Sequence, residues 1–206
     1  MNTTESLWQQ FAEKNGLSQT QQAQFELYYK MLIAENELFN ITAITDLESV
    51  ITYHFEDSLY IKNFINFFTI NSICDVGTGG GFPGIPLKIL FPHLQVTLLE
   101  VNLKKVNFLH KVIEVLYLEN IQTCDLDWRT FLRKSTTPID LFCSRASLHP
   151  DELIRLFSPI TSYQKSTLVY WAASEWTPTK KEEPYVQTSV AYAMGSRKRK
   201  YCIFSV

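Results

Sequence analysis

The sequence predicts an α/β fold: a mainly parallel, seven-stranded Rossmann-like sheet preceded by a helical cap. Three observations predict it. From residue 72 onward, short apolar runs of strand length alternate with stretches of helical spacing. The first run, Ser72 to Val76, breaks into glycines at Gly77-Thr78-Gly79-Gly80-Gly81. The run 139–143 is mostly apolar, as expected of a strand covered on both faces.

Length and composition set the bounds. A chain of 206 residues suits one domain with an appendage, and 46% hydrophobic content is ample for a core. We read residues 1–206 as a single domain, with 1–68 as a helical N-terminal extension and 69–206 as the α/β core. The net charge of −2 gives no global basic field, so a nucleic-acid footprint would have to be local. Cys74, Cys124, Cys143 and Cys202 lack CxxC spacing and sit in or beside predicted strands, which reads as buried free thiols in a reducing compartment. His54, His93, His110 and His149 show no metal-ligand spacing, so no metal is expected. No basic leader precedes an apolar run, and no apolar run reaches spanning length. These features lead us to expect a soluble, cytoplasmic protein.

The elements follow in order. Residues 3 to 66 read as helical. Ser18 with Gln21 forms a capping box, after which Phe25, Tyr28, Tyr29, Leu32, Ile33 and Leu38 recur at helical spacing. Asn40-Ile41-Thr42 breaks the pattern, and Thr45-Asp46 caps a further helix with Val50 and Ile51 inward. An apolar stretch runs from Leu59 to Phe68. Strands are expected at 72–76, 95–100, 121–124, 139–143 and 167–172, with helices near 84–91, 103–117, 127–133 and 150–157 between them. In the helix from 103, Val106, Leu109, Val112, Ile113 and Leu116 form the inward stripe, with Lys104, Lys105 and Lys111 solvated. Two last strands, 186–193 and 200–205, predict an antiparallel edge. The alternation requires right-handed crossovers.

The glycine loop separates two nucleotide chemistries. A dinucleotide site reads G-x-G-x-x-G and sets a pyrophosphate on a helix N-terminus. Here Asp75 stands two residues before Gly77, followed by Gly79 and Gly81. An acid sits badly beside phosphate and well beside a cation. S-adenosylmethionine (SAM) carries a sulfonium and an ammonium and no phosphate. No Gly-Lys-Ser/Thr follows, so there is no P-loop. Glu100, at the end of the next strand, is placed to take ribose hydroxyls.

Ligands of such sheets bind beyond the carboxyl ends of the strands. That rule selects Asp75 to Phe82, Glu100, the segment from Cys124 to Arg129, and Ser144-Arg145-Ala146. Arg145 fits three roles: a partner for a SAM carboxylate, a donor to a base edge, or a structural ion pair. His54 and Asp57 either line the site or form a structural pair. Two basic clusters, Arg129 with Arg133 and Lys134, and Arg197-Lys198-Arg199-Lys200, are candidates for phosphate contact or for simple solvation.

These residues together resemble a family: the bacterial small-subunit rRNA guanine-N7 methyltransferases called glucose-inhibited division protein B. The matching stretches are Phe39-Asn40-Ile41-Thr42-Ala43, His54-Phe55-Glu56-Asp57-Ser58-Leu59, Asp75 through Leu87, Val96 to Glu100, Lys104 to Leu109, and Ser144-Arg145-Ala146. The run of the glycine loop into Phe82-Pro83-Gly84-Ile85-Pro86 is the most specific part. The resemblance implies a class I SAM-dependent methyltransferase fold and methyl transfer to N7 of one guanine in 16S rRNA, within the small ribosomal subunit or its precursor. It also implies cofactor contacts by Gly77, Phe82 and Arg145, adenine contacts by Thr130 and Phe131, and family arginines at Arg129 and Arg199. Three positions depart from the family pattern. Phe131 replaces an acid, Glu100 replaces aspartate, and Val169-Tyr170-Trp171-Ala172-Ala173 lacks the usual Leu-Lys-Gly. The methyl acceptor N7 carries no proton, so no acid or base is assigned; Arg145, His54 and Asp57 are positioning candidates. A monomer is expected. Two further readings share the loop: a SAM-dependent methylase of another substrate, and a ribosome-assembly factor that binds the cofactor without transfer.

Overall fold

The computed structural model describes residues 3–206. Two helices open the chain, α1 (Thr3–Asn15) and α2 (Gln19–Asn36). The capping box forms as the sequence predicts. The Ser18 hydroxyl accepts from the Gln21 amide, and the Gln21 side-chain oxygen accepts from the Ser18 amide. Phe25, Tyr28 and Leu32 are fully buried. Leu38, expected on the same stripe, lies past the helix end and is exposed. The reason is local: the Asn36 side-chain oxygen accepts from the amides of Ile41 and Thr42 and folds the chain back.

The next helical stretch is not uniform. α3 (Leu47–Val50), capped by Asp46, runs into a π-helical turn (Ile51–Glu56) and then α4 (Asp57–Leu59). Val50 and Ile51 point inward as predicted. The apolar stretch beyond it forms two 3₁₀ turns, Tyr60–Asn63 and Phe67–Thr69, which leave Phe64 and Phe68 exposed.

Strands and helices then alternate: β1 (Ser72–Val76), α5 (Gly84–Leu90), β2 (Gln95–Leu99), α6 (Leu103–Val115), β3 (Ile121–Cys124), α7 (Trp128–Lys134), β4 (Leu141–Arg145), α8 (Pro150–Leu153), β5 (Thr167–Ala173), β6 (Val186–Met194) and β7 (Arg197–Phe204). The sheet order is β3-β2-β1-β4-β5-β7-β6. The first five strands are parallel, and β7 runs antiparallel to both of its neighbours. The expected antiparallel edge is therefore present.

Two strands, β4 and β7, are placed more than one residue away from the reading of the sequence. β4 extends to Arg145, which pairs with Trp171, so the arginine ends the strand rather than following it. β7 begins at Arg197, because Met194 pairs with Arg197 and Ala193 with Lys198 across the hairpin. The basic run is strand, and the turn lies at Gly195 and Ser196. Consecutive cations hide the two-residue alternation on which strand recognition rests.

The apolar residues divide into two clusters. One joins Phe11, Phe25, Tyr28 and Phe55 of the N-terminal helices to Ile85 of α5, Leu109 of α6 and Tyr201 of β7. The other packs Trp128, Phe131, Leu153 and Tyr163 against Phe142 and Phe204. The helices therefore cover both faces, and the cap shares its core with the sheet. Gln21 reinforces this contact, since its Nε2 donates to the carbonyls of Ile89 and Leu90 at the end of α5.

Candidate functional site

The site is built on the end of β1. Gly77 and Gly79 have φ of +68° and +61°, which side-chain-bearing residues rarely adopt. A Cβ at Gly77 would collide with Ser147, whereas one at Gly79 would meet nothing within 4 Å. Glu100 holds the loop: its Oε2 accepts from the Gly79 amide at 3.0 Å and its Oε1 from the Asn102 amide at 2.9 Å.

Two clefts adjoin at this loop. The larger, about 350 Å³, is walled by Leu99, Leu126, Trp128 and Leu148, with Glu100 and Asp127 as its carboxylates. The smaller, about 250 Å³, lies between the glycine loop, the cap residues Thr42, Tyr53 and His54, and the cations Arg145, Arg197 and Arg199. Gly77, Lys105 and Ala146 line both. Ala146 has φ of +53° at this junction, a left-handed conformation that costs a non-glycine residue on the order of 1 kcal/mol or more.

Asp57 organises the smaller cleft. It is fully buried, and its Oδ2 accepts from Arg145 Nη1 at 3.0 Å. Its Oδ1 accepts from the Tyr192 hydroxyl at 2.7 Å. Its carbonyl accepts from Trp171 Nε1 and the Tyr201 hydroxyl. Arg199 Nε lies 3.7 Å from the same carboxylate and has no hydrogen-bond partner among the described residues. Arg145 also donates to the Tyr53 carbonyl and approaches His54 Nδ1 at 3.2 Å. Since the guanidinium only donates, Nδ1 accepts. The proton therefore sits on Nε2, which donates to Thr42 Oγ1 at 2.9 Å. Burial, followed by the charges of Arg145, Arg197 and Arg199, lowers the His54 pKa to about 3. Phe82 packs flat against His54 at 4.5 Å and beneath the Arg145 guanidinium at 5.2 Å.

The other predicted residues fall into place unevenly. Asp75 lines neither cleft. It is buried under the loop, where its Oδ2 accepts from Thr78 Oγ1 at 2.6 Å and from the Gly84 amide at 2.7 Å, clamping the loop to α5. Burial raises its pKa to about 6. Gly81 faces Tyr28 and Ile85, not the clefts. Thr130 bonds its cap residue Asp127, and Phe131 stacks on Tyr163 in the core; neither lines a cleft. Alternation along β7 sends Arg197 and Arg199 to the smaller cleft and Lys198 and Lys200 to the opposite side, where Lys200 donates to the Trp176 carbonyl. Arg129 makes a forked pair with Glu152, and Arg133 donates to Thr130. Cys124 is only half-buried, unlike the other three thiols.

Sequence reasoning missed Tyr53, Lys105 and Leu148, and did not single out Asp127 and Trp128. Asp127 and Trp128 fall inside the strand-end segment that the topology rule selects, and that signal could have found them. Lys105, expected to be solvated, is half-buried over both clefts because the first turn of α6 starts beside Glu100.

The family model described as GidB, rRNA small subunit methyltransferase G, matches residues 21–200. The chain belongs to that family. Among relatives named ribosomal RNA small subunit methyltransferase G, that of Bacillus subtilis is 40% identical over 79% of this chain and 70% of its own. That of Onion yellows phytoplasma is 46% identical over 53% of this chain and 51% of its own. The chain thus spans between about half and 70% of these relatives. Solved structures agree on the fold. A human methyltransferase 10 domain containing protein superposes with a TM-score of 0.60 at 15% identity, covering 90% of this chain and 96% of that one. M. capricolum TrmK, solved with S-adenosyl-homocysteine, gives 0.56 at 16% identity over 72% of this chain and 67% of its own.

Proposed function

We propose that this chain transfers a methyl group from SAM to N7 of one guanine in 16S rRNA, acting on the small ribosomal subunit or its precursor. The observation that carries the reading is the pair of clefts meeting at Gly77 and Ala146. The larger has apolar walls and a carboxylate at Glu100, which suits an adenosine with its ribose hydroxyls. The smaller is bordered by Arg197, Arg199 and the Tyr53 ring, which suits a base and its phosphates. The open face of Gly79 lets backbone lie directly against the cofactor.

SAM, when bound, supplies an electrophilic methyl group. The chain's own residues then have only to position the acceptor, because guanine N7 offers a lone pair and holds no proton. The site matches that demand. His54 is neutral, and both of its ring nitrogens are engaged, so it serves as a wall of the cleft and not as a base. Arg145 is tied to Asp57 and holds the Tyr53–His54 turn against the loop. Phe82, stacked on His54 and beneath Arg145, gives the cleft an apolar wall. On this reading residues 1–68 are an integral cap, and the chain works as a monomer in the cytoplasm. No helix among the described residues is long and apolar enough to cross a membrane.

The test is incorporation of labelled methyl from SAM into rRNA lacking the modification, offered naked and as assembled subunits, followed by mapping. Label at N7 of a single guanine is expected. Label on another atom, or none in either form, would overturn the reading.

A further inference from the structure

We propose that His149, Asp151 and Glu182 form a zinc site that pins the loop after β4 to the segment before β6. The three side chains offer ligand atoms that all lie within 4.8 Å of one another. His149 and Asp151 are two residues apart, but Glu182 lies far along the chain, so no spacing motif announces the set.

Glu182 carries the argument. It is fully buried, and its Oε2 accepts from the Thr179 amide at 2.6 Å. Its Oε1 is buried with no hydrogen-bond partner among the described residues. A buried carboxylate oxygen left alone is costly, and such groups are normally paired or bound to metal. The one basic group of the described residues within 4 Å of it is His149, whose Nδ1 lies 3.7 Å from Oε1. Donors around a tetrahedral zinc with bonds of 2.0–2.2 Å stand about 3.4 Å apart. His149 Nδ1 accepts, at 3.4 Å, from the Asp151 amide, so this nitrogen is the unprotonated one; its single lone pair reaches a metal once the exposed ring turns away from that long contact. His149 and Asp151 are exposed and can close the remaining distance, leaving an open side for water as the fourth ligand.

The donor set selects the metal. One imidazole with two carboxylates suits a borderline ion, while calcium and magnesium favour all-oxygen shells. Zinc binds such sets more tightly than manganese or ferrous iron. Occupancy would also bear on the known clefts. His149 directly follows Ser147 and Leu148, which wall the larger cleft.

The test is calorimetric titration of zinc chloride into the metal-stripped full chain, with a melting curve beside it. One zinc per chain and a raised melting temperature are expected. Glu182→Gln keeps the acceptor for Thr179 and should weaken zinc binding at least tenfold. Asp151→Asn changes an exposed residue that carries no packing and should weaken it likewise, so it decides the matter if the buried variant fails to fold. Cys124→Ser should leave binding unchanged. No uptake by the native chain, undiminished affinity in Asp151→Asn, or loss of binding in Cys124→Ser would each overturn the proposal.

Discussion

His54 and Asp75 show how burial acts on two ionisable groups in opposite directions. His54 is held neutral, with its pKa lowered from 6.5 to about 3. Its contribution to stability is complete above pH 6.5 and is lost as pH falls toward 3, because the unfolded chain takes up the proton first. Asp75 has its pKa raised from 3.8 to about 6, so stability is greater below 3.8 and declines as pH rises through 6. Comparing the native chain with His54→Gln cancels the Asp75 effect. We expect the native chain to lose about 1–2 kcal/mol more than the variant between pH 7 and pH 5, read from urea midpoints. Equal slopes would show that His54 charges freely. At this scale the sequence was legible where backbone conformation dictates residue type. Gly77, Gly79 and Glu100 stand at the clefts because glycine adopts those angles at least cost and strand ends aim there. The burial of Asp75 and the inward turn of Phe131 were not legible, since either residue could face inward or outward in a short element.

At the scale of elements, the hairpin strand β7 changes what the basic run can do. Four consecutive cations look equivalent in sequence, but pleating divides them. Arg197 lies 3.9 Å over the Tyr53 ring at the cleft rim, while Lys198 points away. Arg197→Ala should therefore weaken binding of an rRNA fragment and lower the salt dependence by about one ion, and Lys198→Ala should do neither. Filter binding across a salt series would measure both. Equal effects would mean that RNA touches both faces of the hairpin. The strongly periodic α6 and the start of α2, marked by its capping box, were legible nearly to the residue. The π-helical turn at Ile51–Glu56 was not, because its extra residue per turn leaves no mark in a short apolar pattern. It nonetheless carries Tyr53 and His54 at the smaller cleft, with Asp57 buried directly after it.

For the whole molecule, the alternation of strands and helices made a mainly parallel sheet with an antiparallel edge legible, while the strand order is seen only in the structure. The docking of the cap was not legible, because the partners of Asp57 come from four different strands far along the chain. A cofactor held between loop, β2, β3 and β4 should stabilise the molecule as a unit. SAM at about a hundred times its dissociation constant should add ~2.7 kcal/mol and raise the melting temperature by about 5–10 °C. A single cooperative transition that shifts intact is the expected scan; an unmoved one would disconnect the clefts from the cofactor.

Asp57 has one further consequence. Arg145, Trp171, Tyr192 and Tyr201 grip a single residue of the cap from β4, β5, β6 and β7. Lifting the cap would strand a buried carboxylate and four donors in one step, which opposes its swinging open by degrees. On the proposed reading, a base would enter past the rim formed by Tyr53 and Arg197, through a fixed doorway and not under a lid.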